Sequence, residues 1–383
     1  RVRKFMKLFK SLLVAPATLG LLAPVAATAN EVTISDFTPA EQLAITNSRV
    51  DGLEARLNNF EAGSFSETTT ASFSVDFAIG AVDGLGVTTT ITDGDEDLQS
   101  VYGFQIDLNT SFTGEDSLDV SLDAGNGATT GPLAQFDLNG ANDAGGDILA
   151  VDGVSYTFPV GGATVFVGDN TDGSMLFTTA CVYGGPSNTL DDCGNPTAGI
   201  TGGGLAIGAA YDFGNGFSTA AGAQFTETGI ATDENDDSYA LNGAYTGDNY
   251  GVSITYANIE DAADNDTYVA LNGYYSFDNG LNLSAGYEVG DLDNAAAAAD
   301  ETEAYFFGIN GEVGPGELGA AIGTYGKMTE AAGVMPERLM YEAYYSYAVN
   351  DGMTITPLIY TVEGEDAADE DETGIMVKTS FSF

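Results

Sequence analysis

The chain has 383 residues, with 57 Asp and Glu against 10 Lys and Arg, a net charge of −47, 50 Gly, and neither His nor Trp. Without His the chain lacks the usual base and metal ligand of many active sites, so we expect a protein that is not an enzyme. The negative charge argues against nucleic-acid binding. The 44% apolar content argues against a disordered chain. Beyond residue 29 no apolar run approaches the roughly 20 residues of a membrane-spanning helix.

The first 29 residues differ from the rest in charge. Five basic residues lie within the first ten positions, an apolar stretch follows at 12–27, and Ala27-Thr28-Ala29 forms a small-x-small site. This order predicts a secretory signal peptide at 1–29, cut before Asn30. The alternative is an N-terminal membrane anchor. After cleavage the remaining basic residues are Arg49, Arg56, Lys327, Arg338 and Lys378.

Residues 30–63 carry an apolar stripe with helical spacing. Its members are Leu43, Thr46, Val50, Leu53, Leu57 and Phe60. The stripe predicts a periplasmic helix before the main domain. Two interpretations stay open: a lone amphipathic helix that packs on its own domain, or a short coiled coil between identical chains. Arg49 and Arg56 lie one heptad apart and favour the coiled coil.

From residue 64 to residue 383 the apolar period becomes two. Val75, Phe77 and Ile79, for example, alternate with Asp76 and Ala78. Such alternation gives a strand one apolar and one polar face. A β-sandwich would bury the apolar face against a second sheet, whereas a membrane barrel would turn it toward lipid.

The lengths of the connections separate these two folds. Turns of two to four residues rich in Gly, Asn and Asp alternate with generally longer acidic segments such as 83–97, 125–150 and 169–202. This asymmetry is typical of outer-membrane barrels. Residues 133–138 could be another strand or part of a loop. The sixteen predicted strands are 66–82, 98–112, 117–124, 151–158, 163–168, 203–213, 216–226, 237–246, 249–259, 266–277, 280–290, 301–313, 316–326, 338–349, 352–363 and 372–383.

The last strand supports an all-β transmembrane antiparallel barrel of about 16 strands. Ile375, Val377, Thr379, Phe381 and Phe383 alternate with polar residues and Met376 up to the end of the sequence. Outer-membrane barrels typically end on such an aromatic strand. We therefore expect Phe381 and Phe383 to be the signal that the barrel assembly machinery reads.

Two short motifs resemble a known family. Residues 49–57 (RVDGLEARL) and 65–70 (FSETTT) resemble the junction between coiled coil and first strand in cyanobacterial outer-membrane porins, which are similar to carbohydrate-selective porins and sometimes labelled iron-uptake porins. The resemblance implies the outer membrane of a Gram-negative-type bacterium, contact with its lipid, and a homotrimer held through 41–62. Many members begin with an S-layer homology domain, for which residues 30–42 are too short.

Two functions from different classes follow. The first is a passive channel for small hydrophilic solutes and inorganic ions. The second is a surface structural or adhesive protein whose acidic loops bind divalent cations. The Gly-Gly-x-Gly-x-Asp repeats of a calcium-binding β-helix are absent. We expect no cofactor beyond loosely bound Ca²⁺ or Mg²⁺ at acidic loops, and we favour the channel.

The two cysteines fall within one predicted loop. Cys181 and Cys193 enclose eleven residues that include Gly184-Gly185-Pro186, a composition that turns readily. Exported chains oxidise, so we expect a disulfide within this loop. The alternatives are two free thiols or a metal pair, with only Asp191 and Asp192 nearby as further ligands.

The acidic residues predict the selectivity of such a channel. Segment 169–202 resembles the third loop of sixteen-stranded porins, which generally folds into the lumen, and it contains Asp169, Asp172, Asp191 and Asp192. By alternation, four further acids are assigned to the lumen side: Asp107, Asp119, Asp123 and Glu288. No Lys or Arg lies between residues 57 and 326. We therefore expect a cation-preferring pore, although each acid could simply solvate an external loop.

Overall fold

The computed structural model describes residues 69–84, 97–127, 133–138, 147–230, 237–261, 264–293, 300–329, 337–364 and 370–383. The predicted signal peptide, the predicted helix at 30–63 and the trimer contact at 41–62 lie outside the described residues. Within them the chain forms the predicted β-barrel. Among the residues described, no helix has the length and apolar character needed to cross a membrane.

Seventeen strands follow one another along the chain. They are β1 Thr69–Asp83, β2 Gln99–Thr110, β3 Ser117–Gly125, β4 Ala150–Val160, β5 Ala163–Asp169, β6 Leu205–Asp212, β7 Phe217–Phe225, β8 Asp237–Thr246, β9 Tyr250–Asp261, β10 Asp264–Ser276, β11 Leu281–Asp291, β12 Glu301–Val313, β13 Gly316–Thr324, β14 Met328–Thr329, β15 Leu339–Asn350, β16 Met353–Val362 and β17 Glu372–Ser382. All sixteen predicted strands are present, with ends within three residues of the predicted ones.

The strands form one closed antiparallel sheet. Each long strand pairs with its neighbours in sequence, and β1 pairs with β17, for example Phe77 with Thr379. The extra strand β14 has two residues and pairs only with the beginning of β12. Sixteen strands therefore close the barrel, which removes the unpaired edges of an open sheet.

The two ends of the barrel differ in their connections. One end has short turns, in which Gly161 and Gly314 adopt φ values of 64° and 65°. Glycine adopts such values without steric cost. Longer segments leave the other end, and one of them runs from residue 170 to residue 204. Apart from the two-residue connection between β9 and β10, short turns at one end and longer segments at the other match the predicted asymmetry.

Burial is inverted relative to a water-soluble β protein. On β8 and β9 the outward-facing Leu241 and Ile254 are 60% and 53% exposed, while the inward-facing Asn242 and Ser253 are each 3% exposed. The cross-strand pairing keeps each set on its own side, because Leu241 lies opposite Tyr256 and Asn242 lies opposite Thr255. The outer surface is thus apolar, and polar side chains point into the barrel.

Aromatic side chains cluster on the outer surface at the end with short turns. Tyr211 and Phe213 lie 5.0 Å apart between ring centroids, and Tyr275 and Phe277 lie 4.7 Å apart. All four are exposed. A band of exposed aromatic rings next to an apolar surface is what a membrane–water interface favours.

Candidate functional site

Residues 170–204, which we call the inner loop, fold back against the inward face of the barrel. At every second position a backbone N–H of this loop donates to an inward side chain of the wall. The pairs are Thr178 to Asn242 (3.0 Å), Ala180 to Ser253 (2.9 Å) and Val182 to Ser284 (3.1 Å). The three acceptors lie on β8, β9 and β11, so the inner loop crosses several strands and occupies part of the lumen.

Two wall carboxylates also hold the inner loop. Glu288 on β11 accepts hydrogen bonds from the backbone N–H groups of Thr197 (3.0 Å) and Ala198 (2.7 Å). Glu342 on β15 accepts one from the hydroxyl of Tyr183 (2.6 Å). Both acids are buried. Buried carboxylates need such partners, because burial without a hydrogen bond is costly.

Two wall glycines allow the inner loop to approach closely. A Cβ atom on Gly222 of β7 would overlap the carbonyl oxygen of Gly173, and one on Gly286 of β11 would overlap that of Cys193. Any side chain at these positions would push the inner loop away from the wall. The position of the loop therefore depends on glycine at two inward positions of the sheet.

The inner loop contains the predicted disulfide. Cys181 and Cys193 are bonded across a sequence separation of 12. Beside the bond, the side-chain amide of Asn272 on β10 donates to the carbonyl oxygen of Cys193 (2.8 Å). The disulfide closes residues 181–193 into a ring and limits its conformations. One side of this ring is fixed to the barrel wall.

A second segment, residues 133–138, also lies inside the barrel. It forms a single 3₁₀ turn at Ala134–Phe136 rather than a strand. Leu133 and Phe136 are buried with Ala78 and Val82 of β1. The carbonyl oxygen of Gln135 accepts from the backbone N–H of Asn188 in the inner loop (2.9 Å). The two segments meet there and fill one side of the lumen with apolar packing.

The structure separates the four predicted acids of segment 169–202. Asp172, Asp191 and Asp192 lie on the inner loop with exposed side chains, and Asp172 accepts from the backbone N–H of Gly202 (3.1 Å). Asp169 is the last residue of β5. Its side chain points outward, as does that of Val167 two residues earlier. Its carboxylate accepts a hydrogen bond from the backbone N–H of Asn170 (3.0 Å). Asp169 therefore does not join the other three.

The lumen perturbs the acids of the inner loop. Although Asp192 is exposed, the protein around it limits hydration of its carboxylate, and this effect raises its pKa to about 7. Repulsion from Asp191 and Glu288 contributes less. Partial dehydration likewise raises the pKa values of Asp172 and Asp191. Asp192 is therefore partly protonated near neutral pH.

The four acids assigned by alternation have different environments. Asp107, Asp119 and Asp123 lie on the inward face of β2 and β3 and are half-buried. Asp107 accepts from the hydroxyl of Ser121 (2.7 Å), and Asp119 accepts from that of Ser117 (2.7 Å). Glu288 also faces inward, but it is 1% exposed beneath the inner loop. It is an anchor for the loop and does not line the open lumen.

Neither Asp152 nor Lys378 was assigned to the lumen from the sequence. Asp152 is the extra residue of a bulge in β4, and its carboxylate is repelled by those of Asp123, Asp107 and Asp137. Lys378 on β17 lies opposite the buried, inward-facing Ala78. Its inward direction follows from alternation with Val377 and Thr379, whereas the bulge that turns Asp152 inward leaves no clear mark in the sequence.

Within the described ranges, no three Asp, Glu or Cys side chains are grouped so that they could hold a metal ion. The loosely bound Ca²⁺ or Mg²⁺ expected at acidic loops stays a prediction. The acids on the inner loop and on β2 to β4 can instead attract mobile cations through their combined charge.

We compared this chain with known protein families, relatives and solved structures. No model of a known protein family matches the chain. An uncharacterized protein from Nostoc sp., alr4550, is 26% identical, and the alignment covers 89% of this chain and 70% of that relative. Solved structures of bacterial porins superpose on the barrel of this chain. A triple mutant of the Rhodopseudomonas blastica porin gives a TM-score of 0.51 at 13% identity, covering 82% of this chain and 100% of that one.

The barrel has a porin-like fold. A second solved structure, an anion-selective porin from Comamonas acidovorans, gives a TM-score of 0.57 at 13% identity and covers 82% of this chain and 99% of that one. At 13% identity the likeness concerns the fold alone, so the anion selectivity of that protein is not carried over to this chain. The charge preference must be argued from the residues inside the barrel.

Proposed function

We propose that this chain is an outer-membrane porin, a non-enzymatic, passive channel for small hydrophilic solutes that prefers cations. One observation carries the proposal: a closed sixteen-stranded barrel has an apolar outer surface, a polar inner face and a long loop folded inside. A barrel of this strand number encloses a lumen wide enough for water. A surface adhesin would not need a polar inner face.

The outer surface supports the location. Exposed apolar side chains and the aromatic cluster at the short turns suit contact with lipid and its interface. We propose the outer membrane of a Gram-negative-type bacterium, with the barrel assembly machinery as partner during insertion. The relative from Nostoc sp. and the family resemblance support a cyanobacterial source. The homotrimer through 41–62 remains part of this proposal.

The charges inside the barrel support the cation preference. Asp172, Asp191 and Asp192 on the inner loop share the lumen with Asp107, Asp119, Asp123 and Asp152 on the wall. Of the three basic residues in the described ranges, Lys378 lies on the inward face of a barrel strand, and Lys327 donates to the hydroxyl of the inward-facing Tyr268. Carboxylates in excess raise the local concentration of cations and repel anions.

Planar lipid bilayers test the proposal. Purified protein should form ion channels, and a KCl gradient at low ionic strength should give a reversal potential of cation-selective sign. That potential should decrease as KCl or Mg²⁺ screens the carboxylates. Absence of channels would overturn the function, and an anion-selective sign would overturn the preference.

A matched pair of variants tests the residues. Asp172→Asn, Asp191→Asn and Asp192→Asn combined should weaken the cation preference, because negative charge leaves the lumen. Asp169→Asn makes the same chemical change at the outward-facing end of β5 and should leave the reversal potential near the wild-type value. Equal effects per charge removed would mean that the inner loop does not line the path of the ions.

A further inference from the structure

Lys378 places a positive charge inside an acidic barrel. It lies on β17 between Ala78 of β1 and Thr356 of β16, both of which are buried on the inward face. The side chain is half-buried, and its ammonium lies 5.7 Å from the ring centroid of Phe136 in the inner 3₁₀ turn. Lys378 is therefore held where the two inward-folded segments meet.

The charge of Lys378 acts on the acids of this region. It favours the ionised form of Asp191, which Asp137 disfavours. The other two basic residues of the described ranges have different contacts. Lys327 donates to the hydroxyl of buried Tyr268 (3.1 Å), and Arg338 donates to the carbonyl oxygen of Glu363 (2.8 Å) above the ring of Tyr325. Of the three basic residues, Lys378 is the one whose charge acts on Asp191.

We propose that Lys378 is a specificity-determining residue that lowers the permeability of the pore to divalent relative to monovalent cations. The electrostatic energy of an ion is proportional to its charge, so one positive charge on the wall opposes Mg²⁺ twice as strongly as K⁺. The surrounding carboxylates alone would do the opposite and concentrate divalent ions. This inference rests on the proposed channel function and adds the class of ion that passes.

Neutral and charge-conserving variants test it in planar bilayers. Reversal potentials between KCl and MgCl₂ give the permeability ratio of Mg²⁺ to K⁺. Lys378→Gln should raise this ratio about two- to fourfold, the effect of one unit charge roughly 10 Å away in a medium of dielectric constant about 40 to 80. Lys378→Arg keeps the charge and should match the wild type.

Two further variants keep the test decisive. Lys378→Met is a second neutral variant, suited to an inward face that already holds Met376 two residues earlier. Arg338→Gln removes one positive charge at a different position and should leave the Mg²⁺ to K⁺ permeability ratio unchanged. An unchanged ratio in the folded neutral variants would overturn the inference, and so would an equal rise in Arg338→Gln. A wild-type protein that conducts no ions would overturn the proposed function as well.

Discussion

A single carboxylate, that of Asp192, gives the proposed channel a pH dependence near neutrality. Its pKa of about 7 means that the side chain loses its negative charge as the pH falls through that value. An ordinary aspartate, with a pKa of about 3.9, stays ionised there. We therefore expect the cation preference to fall between pH of about 8 and about 6, measured as the reversal potential in a KCl gradient.

The control for this pH dependence is Asp192→Asn, which has no charge to lose. Its reversal potential should be lower than that of the wild type at the higher pH and should change little with acidification. If the reversal potential of this variant changed with pH as much as that of the wild type, a group other than Asp192 would cause the pH dependence. High salt should reduce the step in the wild type, because it screens the charge of Asp192.

Glu288 shows what alternation can and cannot predict at the level of a residue. Its place between outward-facing Tyr287 and Val289 correctly predicts the inward direction. The alternation within β11 does not predict that Glu288 is buried, because its burial depends on Thr197 and Ala198, which lie about 90 residues earlier in the chain. Direction is a local property of a strand, whereas exposure depends on what packs over it.

At the level of elements, the strands were predictable and the path of the inner loop was not. A strand repeats its pattern over about ten residues, and Gly-rich turns mark its ends. The inner loop has no such period, since its position is set by side chains of other strands, including Asn242, Ser253 and Ser284. The disulfide was predictable because both cysteines lie close together in one loop.

Gly286 provides a test of how the inner loop is held. In Gly286→Ala the new Cβ would meet the carbonyl oxygen of Cys193, so the loop or the strand must shift. We expect a loss of about 1–3 kcal/mol in the free energy of unfolding, as for overpacked interiors. Single-channel conductance should change as well, because the loop occupies the lumen.

The matched control is Gly243→Ala on β8. Gly243 lies opposite the outward-facing Ile254, and a Cβ there would have its nearest neighbour at 4.0 Å. Its free energy of unfolding should stay within about 0.5 kcal/mol of the wild type. Equal stability and conductance in both variants would contradict the close approach of the inner loop to β11.

At the level of the whole molecule, the end of the described chain closes the barrel. Phe383 exchanges two backbone hydrogen bonds with Phe73 of β1 (3.0 and 3.1 Å), and the two rings stack at 5.7 Å. Deleting Phe383 removes both bonds and the ring contact. We expect a smaller folded fraction, measured as the heat-modifiable band when unheated and heated samples are compared by gel electrophoresis.

Phe383→Tyr is the control for this deletion, because it keeps the backbone hydrogen bonds and an aromatic ring. It should fold as the wild type does. Full recovery of folded barrel after the deletion would contradict both the closing contact and the expected assembly signal at Phe381 and Phe383.

The alternation of faces has a consequence for how such proteins diverge. Adjacent residues of one strand face different solvents, so substitutions at inward positions leave the fit to the surrounding lipid unchanged. A duplicated gene could acquire a new cargo by changing a few inward side chains while every outward one stayed as it was. Two barrels that superpose at 13% identity can therefore share the same arrangement of strands while the side chains on their inner faces differ.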